Sequence, residues 1–344
     1  MGWCLRVAAS RSFHFLVSGG LAWALVGAAA RAEPLVPGDL LVVTDLGQLV
    51  SVDPATGDTT PFGSLPNAAG SRLAFDAAGD VLVRDGATGA LLRVDADSAE
   101  VTPIAEGDFL AGSSAIAVGV ARDGADVLVT AEIVAPPSVG RVVRVDAAGD
   151  QHLVSEGTYR PTAIAVEADG SILVTSRSFV LDAVTYPDGG LLRIDPDTGD
   201  ESVVTSGQLL EAEPIDVEVL SNGTIALLDA AGVVLVDPVT GVQSSPPPPT
   251  SVDPDIDVDL LTGFTTDGAG GYFLTAGHDV VSQTYPGSVI RVVPGGAASS
   301  TTEPSALTSP VDVAVVVPAP EPGAPWLLAV GAALLVSRRC LAPS

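Results

Sequence analysis

Lysine is missing altogether from this 344-residue chain, so all 15 of its basic residues are arginine. Cysteine is nearly missing too: Cys4 and Cys340 are the only two, one near each end. The long stretch between them therefore has no thiol for a disulfide, a thiolate nucleophile or a zinc site, and its stability must come from packing and strand pairing. Aromatic residues make up only 4%, and asparagine occurs just at Asn67 and Asn222. Val, Ala, Leu, Gly, Asp and Thr dominate instead, which favours short Val-rich strands joined by tight Gly/Asp turns over a helical bundle. Positive charge is scarce as well. Across residues 33–317 41 acidic residues face 10 arginines, a net charge of −31. Such a field repels nucleic acid and anionic lipid headgroups and favours solubility. Nucleic-acid binding is excluded, and a solvated acidic surface is the plain reading of the charge.

Both ends read as addresses. Residues 1–32 have the form of a secretory signal peptide. Arg6 and Arg11 come first, an apolar run follows from Phe13 to Ala30, and Ala30 and Ala32 flank Arg31 in the small-x-small pattern cut by signal peptidase. An uncleaved anchor is the other reading. At the far end Pro320, Glu321 and Pro322 precede the apolar stretch Trp326–Val336, and Arg338 and Arg339 follow it. This tail resembles the PEP-CTERM sorting signal of Gram-negative bacteria, and the resemblance implies recognition by an exosortase-type membrane protease. The two prolines keep the backbone around the carboxylate extended, and the Arg pair suits the cytoplasmic side. The apolar run is short against the usual span of about 20 residues, so a plain C-terminal anchor is the alternative. The expected layout is a leader at 1–32, a folded domain at 33–317 and a sorting tail with a short transmembrane segment at 318–344.

Between the ends the chain repeats itself. One strand recurs as LLVVTD, VLVRD, DVLVTAE, ILVTSR, IALLDA and YFLTAG. Its successor recurs as QLVSVDP, LLRVDA, RVVRVDA, LLRIDP, VVLVDP and VIRVVP. A spacing of roughly 40 to 55 residues suits four-stranded propeller blades. The Asp-Pro-x-Thr-Gly segments beginning at Asp53, Asp195 and Asp237 look catalytic in a motif scan but have turn chemistry: Asp opens the turn, Pro presets φ, and Gly takes a left-handed φ. The innermost strands read RLAFD, AIAVGV, AIAVEA, IDVEVL and TGFTTD, one fewer than needed. Val311–Val317 supplies the sixth by pairing beside Leu40–Thr44, which removes the exposed sheet edges. The expected fold is an all-β, six-bladed propeller closed by that pairing.

Pro161–Thr175 carries the pattern Pro-x-x-Ile-Ala-x-x-x-Asp-Gly, and the domain resembles NHL-type and gluconolactonase-like propellers. That resemblance implies architecture more than activity. In the gluconolactonase-like family a metal is held in the central channel by Glu, Asn and Asp. The matching channel-entrance positions here are Arg72, Ala115, Ala163, Asp216, Leu261 and Asp312, a set closer to a neutralised cluster than to a metal cage. Virginiamycin-type lyases need a catalytic His, and the domain offers only His152 and His278.

Strand direction places the short turns on one face and the variable loops on the other, where binding usually develops. Phe109, Tyr159, Arg160, Tyr186 and Tyr285 fall on the loop face and mark a candidate site for a sugar or peptide. The competing reading is that these rings pack their own loops. After Pro246–Pro249 come Asp253, Asp255, Asp257 and Asp259, whose alternation offers oxygens for Ca²⁺, although no EF-hand glycine or terminal Glu accompanies them. Ordinary solvated acid is the better reading. The expected function is a monomeric, non-catalytic propeller at the cell surface or outside the cell, in adhesion or exopolysaccharide association, meeting signal peptidase and an exosortase on the way. The rival is a metal-dependent hydrolase or lyase using Asp216 and Asp312.

Overall fold

The computed structural model describes residues 33–65, 71–85, 88–110, 120–123, 126–133, 138–210, 213–230, 232–248, 251–252, 261–276, 287–302, 307 and 309–316. The leader, the sorting tail, Ala115, Asn67, His278, Tyr285 and Asp253, Asp255, Asp257 and Asp259 lie outside them. Among the described residues no helix is long and apolar enough to cross a membrane.

The repeats become antiparallel strands. The first sheet holds β1 (Leu40–Thr44), β2 (Gln48–Val52) and β3 (Thr59–Ser64), and the second holds β4 (Arg72–Phe75), β5 (Val81–Arg84), β6 (Leu91–Val94) and β7 (Val101–Ala105). A larger sheet follows: β8 (Val120–Asp123), β9 (Asp126–Ile133), β10 (Val139–Val145), β11 (Gln151–Val166), β12 (Ile172–Leu181), β13 (Val184–Tyr186), β14 (Gly190–Ile194) and β15 (Glu201–Ser206). Next come β16 (Asp216–Val219), β17 (Ile225–Asp229), β18 (Gly232–Val236) and β19 (Gln243–Ser244), then β20 (Ser251–Val252), β21 (Leu261–Thr266), β22 (Tyr272–Ala276), β23 (Ser288–Val292) and β24 (Ala297–Ser300). Finally β25 (Pro310–Val315) joins the first sheet beside β1.

The fold is an all-β propeller, but six separate four-stranded sheets do not form. Among the described residues there are five, three of them four-stranded, one five-stranded and one eight-stranded. The cause is β11. Tyr159 and Arg160, expected among the variable loops, lie instead in a chain that stays extended for 16 residues and pairs first with β10 and then with β12. Register shifts on either side of Pro161, which has no N–H to give, bend the strand from one partner to the next without a loop.

Apolar side chains explain the stacking. Strands β1, β5, β17 and β22 are buried along their whole length, as expected of strands covered on both faces. Alternate residues serve different neighbours. Leu41 and Val43 pack with Val81 and Val83 of the second sheet, whereas Leu40 and Val42 pack with Phe273 and Val289 of the last β-rich segment. The same alternation appears in β5, β17 and their counterparts, so the core is a circuit of clusters between successive repeats. The circuit closes where β25 lies antiparallel to β1 with Val42 opposite Val313.

The turns do more than reverse the chain. Asp53, Asp195 and Asp237 accept N–H bonds from the residues that follow them, and these donors hold their carboxyls below the ordinary range. The Gly that ends each turn sits against a carbonyl of the preceding repeat. A Cβ on Gly57, Gly199 or Gly241 would lie 2.1, 2.4 or 2.1 Å from the oxygen of Thr301, Val154 or Val204. Where one such turn carries Ala99 instead, the facing position is Gly63, and the space has simply changed sides.

Candidate functional site

Among the described residues β4, β11, β16 and β21 run from the loop face toward a tight turn, and β25 lies alongside in the same sense; side chains two residues apart point the same way. Counting back from the turns gives two levels along the axis. The first holds Arg72, Ala163, Asp216, Gly263 and Asp312; the second holds Ala74, Ala165, Glu218, Thr265 and Ala314. Gly263, not Leu261, occupies the position matched to Arg72. A register shift between Leu261 and Gly263 moves the strand by one place, and Leu261 is buried in an inter-sheet core.

Arg72 organises the first level. Its Nη1 donates to the carbonyl oxygens of Thr262 at 2.7 Å and Val311 at 3.2 Å, and its Nη2 to that of Ile215 at 3.2 Å. The same Nη1 lies 3.5 Å from Asp312 Oδ1. One guanidinium from β4 thus ties together the chain at β16, β21 and β25. The carboxylates stitch in the same manner. Asp312 accepts from Leu73 N–H at 2.8 Å, and Asp216 accepts from Phe264 N–H at 3.1 Å and Val217 N–H at 2.9 Å. Gly263 leaves the room for this, since a Cβ there would fall 2.4 Å from Asp312 Oδ1. Burial pushes the Asp312 carboxyl up to about 7; Arg72 opposes the shift and Asp216 adds to it. Burial likewise raises Asp216, again against the pull of Arg72.

These residues do not fit a resident divalent cation. Arg72 already supplies the positive charge, and a metal beside it would face like-charge repulsion. Among the described residues no group of three or more His, Cys, Asp and Glu side chains is arranged to hold a metal.

Beyond this floor the channel widens toward the tight-turn face into a cavity of about 750 Å³. Leu73, Phe75, Ile164, Val166, Val217 and Val315 contribute to its apolar walls. Asp76 and Asp267 also line it, but each is paired with an arginine, Arg93 at 3.1 Å and Arg291 at 3.0 Å. Glu218 has no cationic partner among the described residues. It accepts from Thr266 N–H at 3.1 Å and from the Thr265 side chain. Burial pushes its carboxyl up to about 7. Glu218 escaped notice in the sequence, although its place two residues after Asp216 in one strand was the available signal.

The loop-face residues fare differently. Tyr159 is 1% exposed and lies over Gly140, where a Cβ would fall 2.3 Å from the ring, so it belongs to the core and not to a contact surface. Burial raises its phenol well above the ordinary value. Arg160 pairs with Glu132 at 3.0 Å, and the half-buried Tyr186 stacks on Phe179 with ring centres 4.3 Å apart. Tyr159 and Arg160 do border a small hollow of about 150 Å³. Phe109 sits in a short 3-10 turn under Arg141, at 5.8 Å from its guanidinium carbon. His152 is exposed and lies 3.7 Å from Asp146. Asn222 caps its turn through Thr224 N–H.

No family model and no curated protein matches the chain. Solved structures do resemble it. The crystal structure of a nidogen/laminin complex contains a chain with TM-score 0.62 at 14% identity, covering 81% of this chain and 98% of that one. A streptogramin B lyase gives TM-score 0.51 at 14% identity over 79% of this chain and 84% of its own. A protein of unknown function from Bacteroides caccae gives TM-score 0.51 at 13% identity over 81% and 98%. Identities this low establish the propeller fold and nothing about activity.

Proposed function

We propose that this chain is an exported, non-catalytic propeller that acts as a binding scaffold at the cell surface or outside the cell. The reading takes six blades, with the eight-stranded sheet as two blades joined through β11. One observation carries the non-catalytic reading: both axial carboxylates are already committed, Asp312 to Leu73 N–H of a neighbouring inner strand and to Arg72, and Asp216 to Phe264 N–H of a neighbouring inner strand and to Val217 N–H of its own. A group holding the fold together in this way is poorly placed to turn over a substrate. Export through signal peptidase, sorting by an exosortase-type protease and association with a polysaccharide or peptide rest on the leader and the Pro320-Glu321-Pro322 tail.

Two measurements test the proposal. Cells expressing the chain with and without residues 318–344 are fractionated. The full chain is expected in the envelope or medium, with a membrane-bound intermediate that the truncated chain lacks; cytosolic recovery of both would refute export. Purified protein is assayed for lactonase and lyase turnover beside Asp216→Asn. Inertness of both supports the scaffold, whereas metal-dependent turnover lost in the variant would establish the hydrolase or lyase reading instead.

A further inference from the structure

The structure assigns the open half of the channel to an organic cation, with an aliphatic ammonium or guanidinium head at Glu218 and an apolar stem against the surrounding walls. Three observations converge. The cavity, about 750 Å³, is within the range of small-molecule sites. On its loop-face side Arg72 reaches from β4 to carbonyls at β16, β21 and β25 and to Asp312, so the volume for a ligand lies toward the tight-turn face. Among the described residues, at the level where four inner strands place Ala74, Ala165, Thr265 and Ala314, a fifth places a carboxylate.

The neighbouring charges sharpen the choice of ligand. In three repeats a third-strand arginine neutralises the acid at the end of the inner strand: Arg93 with Asp76, Arg193 with Glu167 and Arg291 with Asp267. The repeat containing Glu218 has Leu220 and Leu235 at the matching places, so this repeat lacks that acid–arginine pair and carries a carboxylate two residues earlier instead. An incoming ammonium group would supply that charge, and the raised Glu218 carboxyl would ionise as it bound. An anion would meet Glu218 and Asp312, and a bare metal ion would gain nothing from the apolar walls. The inference rests on the reading of Arg72 as a structural floor, but not on export.

The probe is n-pentylamine, with 1-pentanol as its neutral counterpart, at about 0.5 M salt, where contacts to the exposed acidic surface are screened. Saturable binding followed by nuclear magnetic resonance is expected for the amine and not for the alcohol. Glu218→Gln is expected to weaken amine binding at least about tenfold, the scale of one lost charge-assisted hydrogen bond. Its melting temperature, measured alongside, should be no lower than that of the parent, so that unfolding does not imitate the loss. Equal binding by Glu218→Gln, equal binding of the alcohol, or no saturable binding would each overturn the assignment. Tighter binding of a lysine-containing peptide than of the free amine would assign the cation to a partner chain, and the reverse to a small molecule; both uphold the site. Metal-dependent turnover lost in Asp216→Asn would defeat the non-catalytic reading, whereas unchanged amine binding by Glu218→Gln would defeat this assignment, so the two failures are told apart.

Discussion

Replacing Arg72 with Met keeps the length of the side chain while removing its charge and donors. Arg72 is 8% exposed and Asp312 4%, so water cannot simply take the guanidinium's place. Three backbone carbonyls lose their donor, and Asp312 loses its ion-pair partner. Breaking one side of a buried pair costs about 3–5 kcal/mol, a large part of the stability of a typical domain. The cost depends on pH. Burial already raises Asp312 and Asp216, Asp216 adds to the rise at Asp312, and Arg72 holds both down. Without Arg72 both carboxyls rise further, so a proton replaces the missing cation in acid. Urea melts should therefore show a large loss near about pH 8 and a smaller one near about pH 5. Arg72→Met combined with Asp312→Asn should lose less than the two single losses added together, because the charge left stranded by the first is removed by the second. A single variant within about 1 kcal/mol of the parent, or an equal loss at both pH values, would refute the reading of Arg72 as the tie between inner strands.

Two further outcomes follow from named contacts. Because Glu218 and Asp312 are raised to about 7 in the folded chain, their contribution to stability is fullest below the unfolded carboxyl values and fades as pH climbs through about 7. Glu218→Gln should flatten that decline and stabilise the protein at about pH 8 by up to about 3 kcal/mol, read from thermal melts across pH; a steeper decline would contradict it. At the Ala99 turn, whose φ is 57°, Ala99→Gly should stabilise by about 0.5–1 kcal/mol by relieving left-handed strain. Gly63→Ala alone should destabilise, because its Cβ would sit 3.2 Å from that of Ala99, and the double variant should recover part of the loss in denaturant midpoints.

The local elements were legible in the residues themselves. Runs such as LLVVT and IALLD, together with Asp-Pro-x-Thr-Gly, specify strands and turns through side-chain period and backbone preference, which act within a few residues. The pairing of the final Val-rich segment with Leu40–Thr44 was also legible, because an unpaired inner strand has to find an edge. What lay beyond the sequence depended on contacts between distant repeats. The burial of Tyr159 over Gly140, the shift that puts Gly263 at the axis, and the fusion of two repeats through β11 arise from bulges and packing whose partners are far apart in the chain or poorly marked in it. Glu218 is the sharpest case. Its carboxylate is one of 42 acidic residues in the sequence, and only the closure of the ring gives it apolar walls, an inner depth and, among the described residues, no arginine partner.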